Sequence, residues 1–240
     1  MRALTSVAVA AAIMTAPACA FAAIQSVTET YTIAPTLAPF SISFTLPGFD
    51  TALGTLTGIE MVLNTSTTAA VNVYNFNLET KSFADAAVTI PVTVTGPGPT
   101  SVTSHDVAGP VSGTVGPGGL YWVPALGSYA LVAGEVTIPG VTGSASDSAS
   151  IPNSEFSNYI GSTVNLSYSA AAGQGNYSGS APTGVSFSGS ATTGGSFDLI
   201  YSYETSGVPE TSTWAMLGLG FAALGFASLR SSRKSSRFSL

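Results

Sequence analysis

The triplet Ser104-His105-Asp106 contains the three residue types of a nucleophile–base–acid relay. Such relays are assembled in space from separate elements. Neighbours on an extended segment point to opposite faces. The triplet is therefore read as part of a loop, with no catalytic residues assigned. His105 is the single histidine, Cys19 is the single cysteine, and no Gly-x-Ser-x-Gly elbow occurs. A zinc site has too few donors to form, and no Asp-x-Asp-x-Asp-Gly calcium loop is present. No metal and no cofactor are expected.

Carboxylates are the remaining acid–base groups. A hydrolase with a paired acid and base would need two of them facing one bond. Asp106, Glu135, Glu155 and Asp198 are examples, but nothing in their spacing selects a pair. Aromatic rings offer a different chemistry. Tyr121, Trp122 and Tyr129 follow a Gly-rich turn in "GGLYWVPALGSY", and Trp122 is the only tryptophan between residues 23 and 206. They either pack into a core or form a platform for sugar rings. Three Asn-x-Ser/Thr triplets, at Asn64, Asn165 and Asn176, arise easily by chance in a chain this rich in Ser, Thr and Asn.

The elements that would position these groups have period two. Residues 40–46, 56–63, 70–78, 87–95, 129–138, 162–170, 184–192 and 196–204 alternate apolar with small or polar side chains. This is the pattern of half-buried strands. Gly/Pro clusters such as "LPGFD", "GPGPT" and "VGPGG" separate them. The expected fold is all-β, an antiparallel β-sandwich, with helices confined to the two ends. Residues 78–86 suit one short helical turn or a bulged loop. Residues 141–150 and 170–180, rich in Gly, Ser and Thr, are read as loops.

Charge bounds the partners. Between Ala23 and Gly207 there is one lysine against eleven acidic residues, a net of −10. Nucleic acid is excluded as a natural partner, since phosphate binding needs a basic footprint. The other five basic residues lie in the two ends.

Those ends read as export signals. Arg2, an apolar run over residues 4–14 and small residues form a secretory signal peptide, residues 1–22. Ala20-Phe21-Ala22 is the cleavage site, with Ala23 as the first mature residue and Ala18-Cys19-Ala20 as second choice. The exported domain is then 23–206. The segment 207–240 carries an apolar, Gly-containing stretch over about 214–229, expected to be a single membrane helix. Arg230, Arg233, Lys234 and Arg237 form a stop-transfer cluster that stays cytoplasmic.

Two resemblances follow from these residues. Val208-Pro209-Glu210, then Ser212-Thr213-Trp214-Ala215-Met216, then an Ala/Gly/Leu/Phe helix, then arginines, resembles the PEP-CTERM sorting signal. Thr211 stands where that signal has a second proline. The resemblance implies export in a Gram-negative bacterium that makes exopolysaccharide, transient inner-membrane anchoring, and cutting near Pro209-Glu210 by an exosortase-like membrane enzyme. It also implies passage through the Sec translocon and signal peptidase. Upstream, "PFSISFTLPGFDTALGTLTGIEMVLNTSTTAAVNVYN" is similar to the choice-of-anchor surface domains, type E most closely. That resemblance implies a β-rich body at the cell surface or in the extracellular matrix. Within it, Gly48 and Gly54 are expected to serve turns, and Asp50 to accept backbone hydrogen bonds.

The resulting expectation is an exported, non-catalytic protein, structural or adhesive in a biofilm exopolysaccharide layer. A carbohydrate-binding module is the first alternative, and a secreted carboxylate-based hydrolase is the second.

Overall fold

The computed structural model describes residues 24–171, 176–205 and 211–232. Ile24–Glu204 forms one compact unit, and the C-terminal helix belongs to a second. Residues 1–22, expected to be a signal peptide, and the expected cleavage residues Ala20, Ala22 and Ala23 lie outside the described residues. So do Val208, Pro209, Glu210, Arg233, Lys234 and Arg237.

The body is built from two antiparallel sheets packed face to face. The first has the order β1 (Ile24–Leu37), β11 (Val185–Glu204), β3 (Thr55–Asn75), β8 (Gly134–Ser150). The second is built around β4 (Lys81–Thr95). One edge of β4 pairs with β5 (Ser101–Val115). Its other edge is shared by β9 (Val164–Ala170) and β10 (Tyr177–Ser180), and β2 (Phe40–Leu46) pairs with β9.

The alternation seen in the sequence is the alternation of faces. On β3, Ile59, Met61, Leu63, Val71 and Val73 point inward, and on β11 Phe197, Leu199 and Tyr201 do so. They meet Val88, Ile90, Val92 and Val94 of β4 and Leu166 and Tyr168 of β9. Aromatic rings join elements of the two sheets: Tyr31 of β1 stacks on Phe44 of β2 at 4.1 Å, and Phe44 meets Phe197 edge to face at 5.9 Å.

Several expected boundaries are corrected. The runs 56–63 and 70–78 belong largely to the single strand β3, and 184–192 and 196–204 to β11. Residues 141–150, read as a loop, are the second half of β8 and pair with β3 from Ala69↔Val141 to Glu60↔Ser150. A long central strand must satisfy its backbone groups on both edges, and this outweighs the weak strand propensity of Gly and Ser. Residues 170–180 likewise contain β10. The run 129–138 is split between two strands, because Gly134 lets the chain pass close to the Gly116 and Pro117 carbonyls. Of the two readings for 78–86, the bulge is found: pairing with β5 shifts between Phe83 and Ala86, and Asp85 has φ 55°. Asp50 caps a short 3-10 turn, Thr51–Leu53, by accepting a 2.9 Å hydrogen bond from the Ala52 amide. Gly54 closes that turn at φ 149°, and Gly48 passes so near Gly161 that a side chain would not fit.

Candidate interaction surface

Between β5 and β8 the chain leaves the two sheets. β6 (Gly119–Val123) and β7 (Ser128–Val132) form a separate two-stranded ribbon. Its base is fixed by buried Asn75. The Asn75 side-chain amide donates to the Glu79 carbonyl at 2.7 Å and to the Gly116 carbonyl at 2.9 Å. The Asn75 Oδ1 accepts from the Asn77 amide at 2.9 Å, and the Gly118 amide donates to the Asn77 carbonyl at 2.7 Å. A Cβ on Gly118 would sit 2.9 Å from the Asn75 and Val132 carbonyl oxygens, so the tight entry requires glycine. At the tip, Gly127 takes φ 59°, and the Leu126 amide closes a turn on the Val123 carbonyl.

The register pairs Leu120 with Leu131 and Trp122 with Tyr129. These four side chains share one face of the ribbon. The Trp122 and Tyr129 rings meet edge to face at 5.3 Å. Nothing in the body covers them: Trp122 is 54% exposed, Tyr129 68% and Leu126, at the tip, 69%. Tyr121 projects from the other face and is also exposed. Of the two readings open for Tyr121, Trp122 and Tyr129, core packing is therefore corrected. A two-stranded ribbon has no second layer to bury its rings against. No charged residue occurs between Asp106 and Glu135, so the whole ribbon is uncharged.

The groups considered for catalysis are separated by the fold. Ser104, His105 and Asp106 lie on β5, not in a loop. Ser104 and Asp106 are fully buried between the sheets, while His105 faces solvent. The period of two that makes the strand also prevents the triplet from converging. Glu135 is exposed on β8, and Asp198 on β11 accepts a 2.6 Å hydrogen bond from Thr30. Glu155 is buried, accepts from the Thr100 hydroxyl at 2.9 Å, and lies under Gly98. Tyr159 lies under Gly96 in the same way, and its phenol is pushed up to about 12 by burial and by the charge of Glu155. The "GPGPT" loop thus packs onto the 3-10 segment Asn153–Tyr159, where a side chain at Gly96 or Gly98 would have to displace the Tyr159 hydroxyl or the Glu155 carboxylate. Among the described residues, no group of three or more His, Cys, Asp or Glu is placed to hold a metal.

Asp106 belongs to a polar layer inside the sandwich, with Thr65 and Thr67 of β3, Ser104 of β5, Tyr168 of β9 and Thr193 of β11. Thr65 and Ser104 hydroxyls are 3.4 Å apart. Burial pushes the Asp106 carboxyl above its ordinary range. Thr67 and Thr65 hydroxyls nearby offset this in part, although neither closes a hydrogen bond to the carboxylate. The layer was not foreseen from sequence. The inward phase of β5 was its signal, since Ser104 and Asp106 share that phase with Val102 and Ala108.

A shallow groove of about 430 Å³ over the second sheet is lined by Ser43, Thr45, Thr95, Asn165 and Ser167 and contains no exposed ring.

The C-terminal segment is helical over α1, Thr211–Ser232, and this includes the backbone of Thr211, Ser212, Thr213, Trp214 and Arg230. The described side chains, 215–226, are apolar or glycine and exposed. They cover roughly 18 Å of helix axis, against a hydrocarbon core of roughly 30 Å. Among the described residues no helix is long and apolar enough to cross a membrane.

No family model matches the chain, and no curated protein matches it. Among solved structures, one of infectious bursal disease virus, Gx strain, is 13% identical, with 85% of this chain and 43% of that chain covered at a TM-score of 0.14. One of the Gt strain is 12% identical, with 85% and 51% covered at 0.11. The chain spans about half the length of these structures, and similarity this low defines neither fold nor function. The fold itself gives the class of protein: a body of antiparallel sheets packed together, with an uncharged aromatic ribbon standing off it.

Proposed function

We propose that the chain is an exported, non-catalytic surface protein, structural or adhesive in an exopolysaccharide layer of a Gram-negative bacterium. The observation that carries the adhesive part is the ribbon. A domain with almost no basic charge displays seven exposed large apolar side chains on this one hairpin, and such patches mark contact sites. In this reading the body is a β-sandwich of the choice-of-anchor type E kind. Residues 1–22 direct it to the Sec translocon and are removed by signal peptidase. The 207–240 segment is a PEP-CTERM-like signal. Its helix resides briefly in the inner membrane, with Arg230 and the following basic residues on the cytoplasmic side. An exosortase-like enzyme then cuts near Pro209-Glu210, and the body passes to the cell surface or matrix.

The sorting part rests on the order of Val208-Pro209-Glu210, Trp214, helix and basic cluster. Deleting residues 208–240 should abolish retention at the surface while the body remains folded. Mass spectrometry of the surface-exposed protein should find a new N-terminus at Ala23 and no Arg233. Unchanged surface delivery after the deletion, or an intact Arg233, would refute the sorting step.

A carbohydrate-binding module is the second reading. It is favoured by the exposure of Trp122 beside Tyr129, since an exposed indole is what stacking on a sugar ring requires. Soluble exopolysaccharide should then shift Trp122 fluorescence.

A further inference from the structure

We propose that the hairpin over residues 119–132 is a self-association arm whose partner is the same hairpin on a second copy of this chain. The proposal rests on reading the hairpin as the contact element of the surface protein, and it names the partner.

The first argument is stability. β6 and β7 form a sheet of two strands, with both outer edges unpaired. An isolated hairpin is marginal in water; three or more strands with a shared apolar face are needed for independent stability. A second hairpin packed face to face supplies the missing layer and covers Leu120, Trp122, Tyr129 and Leu131. The contact is its own complement, so it closes as a two-fold dimer.

The second argument is the absence of protection. Exposed edges are normally blunted by Lys, inward-pointing charge or proline within the strand. This hairpin has no charge, and its proline, Pro124, lies in the turn beyond both strands. Nothing on the hairpin opposes the approach of a second copy.

The third argument is charge. Two bodies with a net of −10 repel each other, and only a charge-free contact avoids placing like charges together. Five-residue strands hold a tip roughly 17 Å from its base. That is about twice the ~8 Å screening length at physiological salt. An arm of this length lets two copies touch while their acidic bodies stay screened from each other.

The fourth argument is side-chain chemistry. A sugar site combines an aromatic face with several directed hydrogen-bonding groups. The face here pairs its two rings with Leu120 and Leu131, and the Tyr129 hydroxyl and the Trp122 indole N–H are its only polar side-chain groups. An apolar protein face of the same composition suits it better.

Light scattering of the purified full chain in mild detergent tests the proposal. The wild type should associate as two copies. Leu131→Lys and Trp122→Lys should each weaken association at least tenfold, with the far-ultraviolet circular dichroism of the body unchanged. Thr137→Lys, exposed on β8, should leave association as it was. A wild type that stays single overturns the proposal. So does association that survives Leu131→Lys, since the contact then lies elsewhere in the chain. A single-copy chain carrying Trp214→Phe, so that Trp122 is its one tryptophan, whose fluorescence shifts with neutral glucan oligosaccharides, or with phosphatidylcholine vesicles, would reassign the arm to sugar or to lipid. Surface delivery is scored on the same variants in cells. Delivery without association removes only this inference, whereas association without delivery removes only the sorting reading.

Discussion

Asp106 is the residue whose surroundings depart furthest from what its type prefers. Its carboxyl is fully buried, faces hydroxyls rather than cations, and has no hydrogen-bond partner on either oxygen. The only lysine of the body, Lys81, is engaged 3.1 Å from Glu79. Burial therefore shifts the balance toward the neutral acid in the folded state. Because the folded value is raised above the ordinary 3.8 by burial, the contribution of this group to stability is fully present below that value. It is lost as pH rises through the folded value, by up to about 1.4 kcal/mol per pH unit. Asp106→Asn should remove this slope. Urea midpoints measured from pH 3 to pH 7 should fall with pH in the wild type and fall less in the variant. Equal slopes would show that Asp106 is not the titrating group.

At the scale of elements, the two sheets and the hairpin obey different rules. Strands in the sheets are held by what they bury, so truncation there is costly. Phe197→Ala empties a fully buried site on β11 and should cost about 3–5 kcal/mol in the unfolding free energy. The ribbon is held at its base by Asn75 and its glycine entry, while its side chains face solvent. In the single-copy chain, at dilutions where no association occurs, Trp122→Ser should change stability by no more than about 0.5 kcal/mol. Chemical denaturation of the two variants at those dilutions checks both values, and a large loss in Trp122→Ser there would mean that the body itself covers the indole. The clamp of "GPGPT" on Asn153–Tyr159 is of the first kind. Side chains at Gly96 and Gly98 would collide with Tyr159 and Glu155, so the loop composition follows from packing rather than from flexibility.

At the scale of the whole molecule, acidity and the neutral arm act against each other. Self-association through the arm should strengthen with salt, because added ions screen the repulsion between bodies while the apolar contact loses nothing. Raising sodium chloride from about 0.05 to 0.5 M, where the screening length falls several-fold, should tighten the dimer measurably in sedimentation experiments. Association that weakens with salt would point to ion pairs in the contact, and the arm has no charge to make them.

Alternation of apolar and small residues determined by itself that the chain makes strands. It did so because the side-chain period of a strand is two and the core lies on one side of each sheet. Composition determined the acidic body, and the order of residues at the two ends determined the export and sorting hypothesis. Which strands run together was decided by tertiary pairing. β5 and the end of β8 have sequences as weak as loops, yet they satisfy the edges of β4 and β3. The exposure of Trp122 was decided there as well. Its stretch alternates no differently from a core strand, and only the absence of a second layer over β6 and β7 leaves the ring in solvent. The polar layer around Asp106 depended on the same level. A carboxylate in an alternating strand is inside or outside according to the phase of the strand, and pairing with β4 sets that phase.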